Sequence, residues 1–174
     1  TFQFLDTGKA PTGVNSNPGG IAYVTQADLD GDRVADYLYA GDTQGRVWRF
    51  DVTDSSPATW KQASSIETLF TAKDGSGNVQ PITTSISLLA VQTGLATRAM
   101  LYFGTGQQTQ PTTTQGMQYA TGTSSKSTAQ TFYGIWDWNM TGWDSLSSTA
   151  QFASLTSGSI TRANLLVQTL VAPP

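Results

Sequence analysis

Four aspartates alternate with other residues in one short stretch, and their spacing could bind a metal ion. Asp28, Asp30, Asp32 and Asp36 occupy positions 1, 3, 5 and 9 of this stretch. Calcium prefers about six to eight oxygen ligands, and side chains at alternate positions turn inward when a backbone curls around an ion. Position 7 would add a backbone carbonyl, which here belongs to Val34. The sequence therefore predicts a calcium loop with these five ligands.

The loop departs from an EF-hand in two ways. An EF-hand carries an acidic residue at position 12, where this chain has Tyr39, and no flanking helices are predicted. The residue after the third aspartate is normally glycine because the backbone needs a positive φ there, and this chain has Arg33. The alternative is an aspartate-rich surface turn that binds nothing, but carboxylates packed this closely would repel one another. We therefore expect calcium to order the turn before the strand at 37–42.

The composition favours an all-β protein and excludes several kinds of site. Eleven of the twelve acidic residues are aspartate, which prefers turns and metal loops to helices. Charged residues make up 12%, and the net charge of −3 gives no basic excess for nucleic acid. The chain has no cysteine and no histidine. Disulfides, thiolate or imidazole metal sites and Ser-His-Asp triads are therefore excluded within it.

Short strands surround the aspartate loop. A strand at 21–24 leads into it, and strands at 37–42 and 47–52, joined by a turn at 43–45, form a predicted hairpin after it. Apolar and charged residues alternate in the second strand of this hairpin, with Arg49 on the polar side. This period of two predicts a half-buried strand whose apolar face carries Trp48, Phe50 and Val52 and whose exposed face carries Arg49 and Asp51.

Further strands are predicted along the rest of the chain, at 66–71, 86–91, 99–103 and 132–138. The stretch at 160–170 is ambiguous between a strand and a short helix. Residues 106–130 are almost entirely Gly, Gln, Thr and Ser, so we expect a flexible insertion there. No apolar run approaches the ~18 residues of a membrane span.

One internal similarity predicts the architecture. Residues 38–42 followed by 47–53 resemble residues 101–105 followed by 133–139: each is a strand, a glycine turn and an aromatic strand with an aspartate. Repeated units of this kind are typical of a β-propeller, whose blades usually take about 40–50 residues. Roughly three or four such blades would fit, so we expect 1–174 to be an incomplete part of one propeller domain. The chain starts at Thr1 rather than methionine, which suggests an excerpt of a longer protein.

Five tryptophans could form a sugar-binding platform, although such residues more often belong to a strand core. They are Trp48, Trp60, Trp136, Trp138 and Trp143. Trp143 follows turn residues and is the best candidate for exposure. No pair of carboxylates outside the aspartate loop stands out as an acid–base couple, so we expect no catalytic residues.

Several phrases together resemble one protein family. Residues 28–53 are similar to the C-terminal propeller of the type IV pilus tip adhesins, the PilY/PilC family. Residues 69–72 with 80–83, 102–106 and 130–137 resemble the same family and occur in the expected order. The resemblance implies a modified seven-bladed propeller of the quinoprotein-dehydrogenase type. It also implies a Ca²⁺ site in the aspartate loop.

The resemblance further implies a role outside the cell. In that family, calcium occupancy governs pilus extension against retraction, and so twitching motility. The protein is exported through the periplasm and outer membrane to the pilus tip, assembles with minor pilins and mediates attachment to surfaces or host-cell receptors, which bears on virulence. Two other functions stay open: a quinone-dependent dehydrogenase propeller, and a secreted sugar-binding propeller.

Overall fold

Two antiparallel sheets form the described part of the protein. The computed structural model describes residues 2–8, 20–61, 66–93, 96–106, 130–137 and 160–168. The first sheet contains, in order, β1 (Ile21–Ala27), β2 (Tyr37–Asp42), β3 (Arg46–Asp51) and β4 (Ile66–Thr71). The second contains β5 (Ser87–Thr93), β6 (Ala96–Gly104) and β7 (Phe132–Trp136). Within each sheet every strand pairs with the next one along the chain, as expected for successive blades of a propeller.

The predicted strands are all observed. Those at 37–42 and 66–71 have the predicted bounds, and the others differ by a few residues at their ends. The ambiguous stretch at 160–170 contains a 3₁₀ helix, Arg162–Asn164, within its described part. A second 3₁₀ helix, Thr59–Lys61, follows β3. Residues 107–129 of the predicted insertion lie outside the described residues, as do Trp138 and Trp143.

The predicted hairpin is formed by β2 and β3, and Asp42 holds its turn. The Oδ1 atom of Asp42 accepts hydrogen bonds from the amides of Gln44 and Arg46, each at 2.8 Å. Its Oδ2 atom accepts one from the Trp48 indole at 2.9 Å. Gly45 has a φ of +73°, which favours glycine. The turn is therefore fixed by one carboxylate and one left-handed residue.

The core lies between the two sheets and takes residues from both. β4 contributes Leu69 and Phe70, and β6 contributes Leu101 and Phe103, all at most 2% exposed. Phe70 packs edge-to-face against Phe103 and Tyr133, with ring centroids 6.2 and 5.1 Å apart. Such aromatic pairs contribute beyond their buried area. This packing sets how the two sheets lie against each other.

The prediction that β3 is only half-buried is wrong. Trp48, Phe50 and Val52 are buried as expected, but Arg49 on the opposite face is also only 5% exposed. Arg49 is buried because it forms ion pairs with Asp137, just after β7, and with Glu67 of β4. A charged residue can replace an apolar one inside a protein when its charge is compensated in this way. β3 is therefore covered on both faces.

Candidate metal centre

The aspartate loop joins two paired strands and is closed at its base. β1 and β2 pair as far as Ala27 opposite Tyr37, and the Asp36 amide donates a hydrogen bond to the Ala27 carbonyl at 2.7 Å. Residues 28–36 therefore form a closed loop at the end of a two-stranded ladder. Because both ends of the loop are fixed by the sheet, its side chains are held close to one another.

Three of the predicted ligands converge. One carboxylate oxygen from each of Asp28, Asp30 and Asp36 lies within 4.8 Å of the others. Asp28 and Asp30 are exposed, whereas Asp36 is only 9% exposed. Hard oxygen donors at this separation suit calcium. The residues present therefore fit the ion that the sequence predicts.

Backbone amides orient the converging carboxylates. Asp28 accepts hydrogen bonds from the amides of Gly31 and Arg33, at 2.7 and 2.9 Å. Asp36 accepts one from the Leu29 amide at 2.7 Å. A carboxylate has about four acceptor positions, so these bonds leave lone pairs for a cation. The loop backbone thus curls around its own carboxylates.

Two residues of the loop have left-handed backbone conformations. Gly31 has a φ of +83° and Arg33 a φ of +73°. Among the described residues, Arg33 is the one non-glycine residue with a positive φ. The sequence analysis expected a positive φ at this position, and the structure shows that Arg33 adopts it despite the cost to a side-chain-bearing residue. Arginine in place of glycine therefore leaves the curl of the loop intact.

The surroundings of Asp36 disfavour the charged form of its carboxyl group. Its pKa is raised above the ordinary aspartate value, mainly because burial disfavours the charged form. The Leu29 amide opposes this effect, and the nearby charges of Asp30 and Asp28 add to it. A cation among these groups would offset both the burial and the repulsion.

The remaining two predicted ligands are placed differently. Asp32 lies outside the group of converging carboxylates, and its Oδ1 accepts a hydrogen bond from the Val34 amide at 2.7 Å. The side chain of Val34 is 61% exposed, and its predicted role uses the backbone carbonyl. The assignment of Asp32 and Val34 as calcium ligands stays a prediction.

A polar cluster that is buried except at Glu67 joins the two sheets, and the sequence patterns did not predict it. Arg49 donates to Asp137 at 2.7 Å and to Glu67 at 2.5 Å. The Tyr39 hydroxyl donates to the other Asp137 oxygen at 2.6 Å. Burial, and then Asp137, raise the pKa of Tyr39. We call these four residues the Arg49 cluster. One signal in the sequence could have indicated this cluster: Arg49 is a basic residue inside an aromatic strand, in a chain with only 12% charged residues.

The tryptophans do not form a shared platform within the described residues. Trp48 is 2% exposed and bonds to Asp42. Trp60 lies in the Thr59–Lys61 helix and donates to the Asp54 carbonyl at 2.8 Å. Trp136 is half-buried at the end of β7. Also within the described residues, no helix has the length and apolar character needed to cross a membrane.

Comparison with known proteins identifies relatives along most of the chain. The family model described as "PilY1 beta-propeller domain" matches residues 9–172. A protein of Pseudomonas aeruginosa, "Type IV pilus biogenesis factor PilY1", is 33% identical over 175 residues, which cover 91% of this chain and 13% of that protein. A "Type IV pilus biogenesis factor PilY1 homolog" of Xylella fastidiosa is 29% identical over 128 residues, or 71% of this chain and 8% of that one.

A solved structure is also similar. It is described as the crystal structure of the Pseudomonas aeruginosa PilY1 C-terminal domain, with a TM-score of 0.49 and 32% identity, over 75% of this chain and 28% of that one. The chain thus spans only a small part of these relatives' length. The family match confirms the predicted all-β propeller. The two described sheets form an incomplete set of blades, since they do not close a ring.

Proposed function

The chain belongs to the PilY1 β-propeller family, and on that premise we propose that it is a calcium-binding propeller module of a type IV pilus biogenesis factor. One observation carries the calcium assignment: the carboxylates of Asp28, Asp30 and Asp36 converge within 4.8 Å. The name of the relatives supports the pilus assignment. Because the chain spans 13% of the Pseudomonas relatives, the role of the whole protein is part of this proposal.

Calcium would be held by the converging carboxylates, with Asp32 and the Val34 carbonyl completing the shell. The ion would neutralise the negative charges gathered in the loop and so order the turn before β2. Because the loop is closed by β1 and β2, ordering it also fixes the start of the β2–β3 hairpin. Loops of this kind outside the cell bind calcium with dissociation constants on the order of 10⁻⁴ M, and some bind more tightly.

In this proposal the calcium site has a regulatory role rather than a catalytic one. Calcium occupancy governs pilus extension against retraction, and hence twitching motility. The protein lies at the pilus tip outside the cell, contacts minor pilins there and supports adhesion to surfaces or to host-cell receptors. The support for this reading is the family and the name carried by its members.

The two alternatives have weaker support. A quinone-dependent dehydrogenase would need its calcium beside a quinone on the propeller axis, whereas the candidate ligands here all come from the single loop 28–36. A tryptophan platform for sugars would need exposed rings, whereas Trp48 is buried in the core. We therefore propose no catalytic step.

Motility of living bacteria tests this function. The full-length protein should be supplied to a strain that lacks it, as wild type, as Asp36→Asn and as Asp51→Asn, with calcium or a chelator. We expect wild type and Asp51→Asn to support surface pili and calcium-dependent twitching, and Asp36→Asn to lose the calcium dependence. Asp51 is a matched control because it lies outside the aspartate loop and, among the described residues, its Oδ1 bonds to Thr53 of its own turn.

The two parts of the proposal can fail separately. If the strain without the protein assembles and retracts pili normally, the biogenesis role is wrong. If Asp36→Asn responds to calcium as the wild type does, the regulatory calcium site is wrong.

A further inference from the structure

A pocket beside β4 has a chemistry that the calcium loop does not explain. It has a volume of about 260 Å³ and is lined by residues 68–71 of β4, by Lys73 and by residues 160–162. Side chains of successive strand residues point to opposite faces. Because four successive residues of β4 line the pocket, the pocket must lie along the edge of this strand rather than over one face of the sheet. None of the loop residues 28–36 takes part.

The lining combines two cations with hydroxyl groups above an apolar floor. Lys73 and Arg162 supply the positive charge, and the buried side chains of Leu69, Phe70 and Ile160 supply the floor. Three threonines add hydroxyls: Thr68, Thr71 and Thr161. Within the described residues no carboxylate lines the pocket. A site with this charge is notable in a chain whose net charge is −3.

Arg162 is held in place by a backbone carbonyl and by the hydroxyl of a buried tyrosine. Its Nη1 atom donates to the Lys73 carbonyl at 3.1 Å and to the Tyr133 hydroxyl at 2.9 Å. That hydroxyl donates in turn to Gln80 Oε1 at 2.7 Å, and Gln80 is fully buried. Both arginine bonds use Nη1, so the rest of the guanidinium has no acceptor among the described residues. The side chain of Arg162 is thus fixed while its other N–H groups can still donate. Because its position is already fixed, binding an acceptor costs less side-chain entropy.

The two cations of the pocket have no ion-pair partner in the described part of the chain. The ion pairs found there involve Arg46 and Arg49 instead. Asp74 lies next to Lys73, and its pKa is lowered mainly by hydrogen bonds from Asn78 and to a smaller extent by the charge of Arg162. The Asp74 carboxylate is occupied by its own turn, where it accepts from Ser76 and Asn78. Asp74 therefore offsets part of the charge of the two cations, and a net positive charge remains beside the pocket.

We propose that this pocket binds the carboxylate of an acidic sugar. Two cations select an anion, and a fixed guanidinium suits a carboxylate. Since no carboxylate of the described residues lines the pocket, the ammonium group of a free amino acid would find no charged partner among them. Threonine hydroxyls can donate to and accept from sugar hydroxyls. The volume is below the range of pockets for drug-sized ligands, which matches a single sugar ring.

Binding of glucuronate to the purified chain tests this inference. Glucose provides the uncharged comparison and acetate the carboxylate without a sugar ring. We expect NMR titration to shift the amide signals of residues 68–71 and 160–162 with glucuronate, and much less with glucose or acetate. Lys73→Gln should weaken glucuronate binding about tenfold, since it removes one charge-assisted interaction. Lys61→Gln removes an exposed cation outside the pocket and should change nothing.

Several outcomes would overturn the inference. Acetate binding as tightly as glucuronate would mean a general anion site and not a sugar site. An unchanged affinity for glucuronate in Lys73→Gln would show that the pocket is not the binding site. The absence of any amide shift with glucuronate would show that the chain does not bind it. Arg162→Lys provides a second test, because it keeps the positive charge but loses the planar guanidinium with its paired donors. Glucuronate binding as tight as that of the wild type would contradict the role of the guanidinium. The calcium proposal is unaffected by any of these results, since calcium is absent from the titration.

Discussion

The same strand–glycine–strand unit occurs twice in this chain, and the structure uses the two copies differently. β2 and β3 form the first copy, and β6 and β7 form the second, each as antiparallel neighbours in its own sheet. The pattern of aromatic and glycine residues thus sets the sheet in both places. The polar residues at equivalent positions have separate roles, since one of them joins the two sheets. The candidate metal centre lies outside the repeated unit, in the connection that precedes the first copy.

The aspartates of the two units show this most clearly. In the aligned phrases 47–53 and 133–139, Asp51 corresponds to Asp137. Asp51 is half-exposed and accepts hydrogen bonds from Thr53, two residues later. Asp137 is 3% exposed and binds Arg49 and Tyr39 of the other sheet. One aspartate therefore closes a local turn, while the other joins two sheets.

The connections before the two units also differ. β1 ends at Ala27 and β2 begins at Tyr37, which leaves room for the aspartate loop. β5 ends at Thr93 and β6 begins at Ala96, which leaves no room for a loop of that length. Only the first described sheet can carry a metal loop at this position. The comparison indicates that the loop is an addition to a repeated unit, not a part of it.

Replacing the two aspartates should give the largest contrast. We expect Asp137→Ala to lower the free energy of unfolding by about 3–5 kcal/mol, because it leaves Arg49 buried with part of its charge unpaired. Asp51→Ala should cost about 1 kcal/mol or less, since the two hydrogen bonds it removes are local and exposed to solvent. Urea unfolding of both variants measures this. Equal costs would contradict the different roles assigned to the two residues.

Replacing the equivalent glycines of the two units by alanine should give the second-largest difference in stability. Gly41 and Gly104 occupy the same position in the two units, but a Cβ on Gly41 would lie 2.3 Å from Ile82 Cγ2, whereas a Cβ on Gly104 meets nothing within 4 Å. We expect Gly41→Ala to cost about 1–3 kcal/mol through overpacking. Gly104→Ala should be close to neutral. Thermal unfolding of the pair checks the prediction, and a larger loss at Gly104 would show that the packing around Gly41 is wrong.

Alkaline pH should weaken the Arg49 cluster through Tyr39. The pKa of Tyr39 is raised in the folded chain by burial and by Asp137, whereas an unfolded tyrosine titrates near about 10. The folded state therefore keeps this proton longer, so stability is complete below about pH 10 and falls as the pH rises above it. The loss reaches at most about 1.4 kcal/mol per pH unit from this one group.

Unfolding measurements from about pH 8 to pH 11 test this dependence. Tyr39→Phe should remove the Tyr39 part of the slope. Tyr102→Phe, at the equivalent position of the second unit, should leave that part in place. If Tyr39→Phe keeps the full slope, another group causes it.

The smallest predicted effect concerns the backbone of the aspartate loop. Arg33 has a φ of +73°, a conformation that costs a residue with a side chain about 1 kcal/mol or more. Arg33→Gly should therefore stabilise the calcium-free chain by about 1 kcal/mol. Gly31→Ala, at a φ of +83°, should destabilise it by a similar amount. Opposite signs for the two variants support the left-handed curl, and equal signs contradict it.

Patterns along the chain predicted the strands and the position of the loop well. Alternation and glycine turns are local signals, and the β2–β3 hairpin and β4 followed from them. The convergence of Asp28, Asp30 and Asp36 also follows from local spacing, because one short loop supplies all three. These features depend little on how distant parts of the chain pack.

Features that depend on distant contacts could not be predicted in the same way. Arg49 was expected on an exposed face, because Trp48 and Phe50 on either side of it mark the opposite face of the strand as the apolar one. Its burial depends on Asp137, 88 residues away in sequence, and no local pattern encodes that contact. The pocket beside β4 is of the same kind, since Arg162 reaches Lys73 across 89 residues. Sequence patterns therefore predicted the elements, while the contacts between them required the structure.

Calorimetric titration with calcium tests the central claim most directly. We predict one bound Ca²⁺ for the wild-type chain and for Asp51→Asn, with a dissociation constant on the order of 10⁻⁴ M or tighter. Asp30→Asn and Asp36→Asn should each weaken binding at least about tenfold, because each removes a charged ligand from the converging group. Calcium binding that is absent in the wild type, or equal in all four proteins, would contradict the assignment of the aspartate loop as the metal centre.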